Sequence, residues 1–186
     1  MHNFQGVCEW IARETGQEVR PYSTYDFGRE KDYNQCSVIL SQTNAVELIQ
    51  RVNPVLPNGV LLFTGTSGIR LGDEYQDDVE LVIGRGKEQW DKLRIARTNG
   101  LNYNLTTNDI ITKLSQFDEK YGIHIVHAET DDVGIEFLNW PQFEDLAPLC
   151  QEIYELCPDI AYQHGGSIDE LKEVINAMGF IHLWWD

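Results

Sequence analysis

Apolar residues return at helical spacing along "TNDIITKLSQFDEKYG". Ile110, Leu114, Phe117 and Tyr121 fall on one face, and Gly122 is placed to end the helix. "SIDELKEVINAMG" repeats the pattern. Ser167 and Glu170 form a capping box, Ile168, Leu171, Val174, Ile175 and Met178 make the buried face, and Gly179 terminates it. "PQFEDLAPLCQEIYELCP" carries a third stripe; Pro148 within it either kinks the helix or marks a later start. Shorter helices are predicted in "VCEWIARET", in "TNAVELIQRVNP" with Thr43 as its cap, and in "RGKEQWDKLRIART". "DFGREKDYNQ" reads as a loop. "CSVILS", "GVLLFTG" and "VELVIG" read as buried strands, and "IHIVHAE" with "VGIEFLNW" as a hairpin around "TDD". The tail "FIHLWWD" alternates, but both of its sides are largely apolar, which predicts a central strand covered on both faces. The glycine-rich, acidic stretch "TSGIRLGDEYQDD" is the expected mobile loop or lobe boundary. The pattern therefore predicts an α+β protein: a mixed β-sheet with helices packed on it, in two α/β lobes over residues 1–78 and 79–186.

Charge sharpens this picture. The chain carries a net −16, unevenly spread. Residues 1–100 hold 14 acids and 11 bases. Residues 101–186 hold 16 acids against three bases, Lys113, Lys120 and Lys172. So negative a half repels phosphate backbones, which argues against nucleic acid as a partner; it reads either as a solvated acidic surface or as a docking surface for a basic protein. With 42% hydrophobic residues the chain can bury a core. It has no apolar run long enough to cross a membrane. Its N-terminus lacks the basic and apolar regions of a secretory signal, so a cytoplasmic protein is expected.

Candidate chemistry is sparse. "VELVIGRGKEQW" places Gly84 and Gly86 between a strand and a helix, but Gln89 stands where a dinucleotide fingerprint needs its third glycine. His124 and His127 sit three apart in a strand and point to opposite faces, so they do not share a metal. Cys150 and Cys157 are about 10 Å apart along one predicted helix and cannot pair. They read as inert buried thiols. Asp159 and His164 form either an acid/base pair or, with Pro158, a turn. No metal, cofactor or catalytic residue is assigned.

"GRGKEQWDKLR", "NYNLTTNDIITKL", "KYGIHIV", "IYELCPDI" and the terminal "LWWD" occur in order, and together they resemble the domain of unknown function 4253 over residues 79–186. The resemblance implies a bacterial protein. Through members similar to suggested immunity partners of toxins, it also implies a protein that neutralises a basic toxin domain by stoichiometric binding. The alternative is an enzyme or small-ligand-binding protein with a pocket between the lobes. Loops carry binding residues disproportionately. The expected contact residues are thus Asp73, Glu74, Asp77 and Asp78 in the acidic loop and Asp131 and Asp132 in the hairpin turn, with Tyr75 and Trp140 as apolar anchors.

Overall fold

The computed structural model describes residues 3–24, 30–72, 75–139, 146–163 and 166–185. The chain is an α+β protein with a mixed sheet, and it divides into two compact units. The first comprises Met1–Arg97 with His127–Thr130, the second Thr98–Val126 with Asp131–Asp186.

In the first unit, α1 (Phe4–Thr15) starts where the Asn3 side chain accepts the Gly6 N–H. It ends at Gly16, whose φ of 69° favours glycine. Phe4, Val7, Cys8 and Ile11 recur every three or four residues and are buried. Strands β1 (Arg20–Ser23) and β2 (Lys31–Ser41) follow, then α2 (Gln42–Val52). Ser41, not Thr43, caps α2. Next come β3 (Val60–Ser67), the single turn α3 (Gly68–Leu71), β4 (Asp78–Arg85) and α4 (Trp90–Ala96). The strand order is β1-β2-β4-β3, with each of these pairs antiparallel.

β4 thus runs between two strands and is buried along nearly its whole length. Val79, Leu81 and Ile83 enter the core formed with α1 and α2. Each such side chain contributes ~1.5–3 kcal/mol by leaving water. Gly84, on the opposite face, lies so close to α4 that an added Cβ would stand 2.6 Å from Ile95 Cδ1. Glu80 is fully buried within this strand. It accepts the Ser37 hydroxyl at 2.6 Å and has Arg20 at 3.5 Å.

Two local expectations change here. β2 begins at Lys31, inside the stretch read as a loop, because its polar start is largely exposed and pairs with β1. α4 begins at Trp90 rather than near Arg85. The Asp91 carboxylate accepts the N–H groups of Lys87 and Glu88 and draws that segment into a turn.

In the second unit, α5 (Thr107–Tyr121) carries a capping box between Thr106 and Asp109 and buries the four predicted residues. β5 (Ile123–Ala128) gives its last two residues to the first unit, where His127 lies beside Thr64 in parallel register. β6 (Asp132–Phe137) lies next to β5. α6 (Leu146–Leu156) contains Pro148, and residues 140–145, where the predicted helix would begin, lie outside the described residues. α7 (Ile160–Gln163), α8 (Ile168–Met178) and β7 (Phe180–Trp184) complete the unit.

β7 pairs antiparallel with β6, setting Val133 against Leu183 and Ile135 against Ile181. It stands last in the strand order, so the expectation of a central C-terminal strand is corrected: β7 is an edge strand. Ile181 and Leu183 are buried, whereas Phe180, His182 and Trp184 are half-exposed. Aromatic residues on the half-exposed face mimicked the pattern of a strand covered on both sides. No helix among the described residues is long and apolar enough to cross a membrane.

Candidate functional site

The chemically richest cluster lies in the first unit, where β3 ends. A bulge between Thr64 and Ser67 breaks the β3–β4 ladder, and α3 turns away immediately after it. Gly68 makes that turn possible. A Cβ there would fall 1.8 Å from the Tyr75 carbonyl oxygen and 2.5 Å from that of Asp78. The turn presents two donors to Glu129: the Ser67 N–H at 2.7 Å and Arg70 Nη1 at 2.9 Å. His127 Nε2 lies 3.4 Å from the same carboxylate, and its Nδ1 lies 3.0 Å from the Thr64 hydroxyl. With the imidazole proton on Nε2, Thr64 donates to Nδ1 and His127 donates toward Glu129.

Thr64, His127 and Glu129 are all buried. Burial pushes the Glu129 carboxyl up. The hydrogen bond and charge from His127, the charge of Arg70 and the Ser67 N–H outweigh it and hold the group below the usual glutamate value. The result is an anionic carboxylate at the end of a hydroxyl–imidazole–carboxylate chain. Such a chain can orient an imidazole and polarise a hydroxyl. Here the same contacts also fasten β5 to the bulge. Sequence reading missed this cluster, since the buried acid in "HAET" looks like any other glutamate in a turn.

The predicted contact residues fall in both units. Asp73, Glu74 and Trp140 lie outside the described residues, as do His164 and Asp186. In the first unit Tyr75 and Asp78 are half-buried and Asp77 is exposed. The Asp77 carbonyl accepts the Gln42 N–H at 3.2 Å. In the second unit Asp131 and Asp132 are both half-buried. The Asp131 carbonyl accepts the Trp185 N–H at 2.9 Å, and Asp132 Oδ1 lies 2.8 Å from His182 Nδ1. Asp131 thus holds the tail through its main chain, and Asp132 through its carboxylate. Asp159 is buried and accepts the Tyr103 hydroxyl at 2.5 Å.

Among the described residues the exposed acids of the second unit sit elsewhere: Asp109 and Glu119 on α5, Glu136 on β6, Glu155 on α6, and Asp169, Glu170 and Glu173 on α8. His124 reaches Glu136 only at 3.8 Å, on the strand face opposite His127. Burial raises the thiols of Cys150 and Cys157 to about 11 and about 12, which keeps both unreactive.

The family model described as "Domain of unknown function (DUF4253)" matches residues 80–186. The chain belongs to this family. The match opens at the buried Glu80 of β4 and runs to the chain end. In this DUF4253 member, His127 and Glu129 lie within the matched span, whereas Thr64, Ser67 and Arg70 precede it. Searches of curated proteins and of solved structures returned no match.

Proposed function

We propose that this protein is a cytoplasmic binding protein that takes a basic protein partner, acting as a bacterial immunity protein that occludes a toxin domain. The observation that carries this reading is the charge of the second unit. It holds 15 acids and three bases, 15 − 3 = 12 negative charges in excess, against four in the first unit with 15 acids and 11 bases. Seven of these acids are exposed among the described residues, on three helices and a strand, and Lys120, one of the three bases, is tied to Glu152 at 2.5 Å. Like-signed charge spread this way raises the encounter rate with a cationic surface. Affinity also needs an apolar anchor, and Leu138, just past β6, is 66% exposed. The test is recovery of the partner from the native cell, its identification, and association kinetics at low and high salt. A basic partner whose association slows with salt supports the reading. Recovery of acidic partners alone, or an association rate indifferent to salt, removes it.

A second reading, a small-ligand site, draws support from an open hollow of about 370 Å³ in the first unit. Its volume lies in the range of ligand pockets, ~300–1,000 Å³. Glu14, Thr15, Leu40, Asn44, Glu47 and Arg51 line it, with Arg51 paired to Glu14 at 2.7 Å. With Glu14 paired to Arg51, the exposed Glu47 carboxylate favours a cationic amine. A panel of small amines that leaves the melting temperature unmoved at millimolar concentration would exclude this reading.

A further inference from the structure

We propose that Cys8 and Cys36 form a dithiol–disulfide site that reacts with hydroperoxides. Cys8 lies on the buried face of α1, and Cys36 lies on β2, packed against the same core. Their side chains share a hydrogen bond, although 28 positions separate them in sequence. The pair is asymmetric. Cys8 is buried, while Cys36 is half-exposed and open to a small oxidant.

A cation stands beside them. Arg85 stacks its guanidinium on the Phe4 ring at 3.8 Å, one helical turn before Cys8. Its Nε donates to the Asn34 carbonyl at 3.1 Å, and its backbone N–H donates to Gln35 Oε1 at 2.7 Å. Arg85 is thereby fixed to the residues that lead into Cys36. The hydrogen bond from Cys8 lowers the Cys36 thiol to about 7, against burial and with help from Arg85. The same bond, with burial, raises Cys8. Cys36 is thus the thiolate that accepts, and Cys8 the thiol that donates.

This arrangement divides the two roles of a peroxide-reactive pair. The Cys36 thiolate attacks one oxygen of a hydroperoxide, and the O–O bond breaks. The alkoxide leaves and takes up a proton as an alcohol, or as water when the oxidant is hydrogen peroxide. Cys36 is now a sulfenic acid. The Cys8 sulfur attacks the Cys36 sulfur, the S–O bond breaks, and hydroxide departs with the Cys8 proton as water. Two thiols lose two electrons, and one hydroperoxide gains them. Two equivalents of a low-molecular-weight thiol restore the pair by exchange and leave as their own disulfide. Cys150 and Cys157 take no part, because burial keeps both protonated.

The site stands independently of the binding function above. The test is treatment of the full native chain with a small excess of hydrogen peroxide at neutral pH, followed by peptide mapping. The expected product is an intramolecular link between the peptides holding Cys8 and Cys36, reversed by a thiol reductant. Cys36 should be consumed about a hundredfold faster than Cys150 or Cys157, since its larger thiolate fraction outweighs the lower nucleophilicity of a more acidic thiol. In Cys8→Ser, Cys36 should stop at a sulfenic acid that dimedone traps. Equal reaction of all four cysteines, links only between molecules, or a Cys36 that advances to sulfinic acid with Cys8 untouched in the native chain would overturn the proposal.

Discussion

Trp185 donates its indole Nε1–H to the main-chain carbonyl of Leu156 at 3.0 Å. Its own N–H goes to Asp131, and Cys157 Sγ lies 3.0 Å from the Trp184 carbonyl. Gly100 makes room for the ring, since a Cβ there would stand 3.0 Å from Cγ and Cδ1 of the indole. The tail is therefore fastened to the end of α6 although β7 is an edge strand. Trp185→Ala should cost about 3–5 kcal/mol. Trp185→Phe keeps most of the apolar contact and should cost about 1–3 kcal/mol, the penalty for leaving the Leu156 carbonyl without its donor. Urea midpoints for both variants check this ordering. Equal and small losses would make the tail peripheral.

Glu129 gives the fold a dependence on acid. Its carboxyl is held below the usual glutamate value in the folded chain, so it contributes stability above the unfolded value, ~4.3. That contribution is lost as pH falls through the lower folded value. Glu129→Gln should therefore cost about 1–3 kcal/mol at neutral pH. The two proteins should converge in stability in acid. Denaturant midpoints from pH 7 down to pH 3 measure it, and parallel curves would show that the carboxylate charge contributes nothing.

The periodic elements were legible and the long-range ones were not. α5 and α8 show why the first is so. Their caps, Thr106 with Asp109 and Ser167 with Glu170, and their glycine stops at 122 and 179 are local signals, and the structure uses all of them. The insertion of β4 between β2 and β3 depends on which strand edges meet, and hydropathy does not encode that. β7 was read as a strand but misplaced, because Phe180 and Trp184 are apolar yet half-exposed. The same gap hid the candidate chemistry. Thr64 meets His127 and Cys8 meets Cys36 only through tertiary packing. Asp131 precedes β6 and Asp132 opens it, and the Asp131 carbonyl and the Asp132 carboxylate both reach the tail, which the sequence does not show.

Gly68 should tolerate no side chain. The atoms that an added Cβ would strike are backbone carbonyls of Tyr75 and Asp78, which cannot rotate away as a flexible side chain would. Gly68→Ala should lose about 3 kcal/mol or more through overpacking. It should also displace Ser67 and Arg70 from Glu129. Thermal melts measure the first effect. The second should appear as a weaker acid dependence, in the same direction as Glu129→Gln. A variant as stable as the parent would mean that the segment from Tyr75 to Asp78 does not pack on this turn.

The partner prediction now rests on acids that the fold leaves outward. Glu119, Glu155 and Glu173 lie on α5, α6 and α8, one on each helix, and all three are exposed. None caps a helix, so neutralising them should change stability by no more than about 0.5 kcal/mol each. Their effect belongs to encounter. A cationic protein feels the summed field of the second unit within a screening length of ~8 Å at physiological salt. Glu119→Gln, Glu155→Gln and Glu173→Gln together should slow association with a basic partner by about tenfold at low salt, with dissociation little changed. The difference from the parent should shrink as salt rises. Asp132→Asn is the contrasting variant. It weakens the contact with His182 and should lower stability. Stopped-flow association at two salt concentrations, beside urea midpoints for each variant, separates the two behaviours. If the triple variant associates as fast as the parent at low salt, these helices do not face the partner and the acidic surface serves solubility alone.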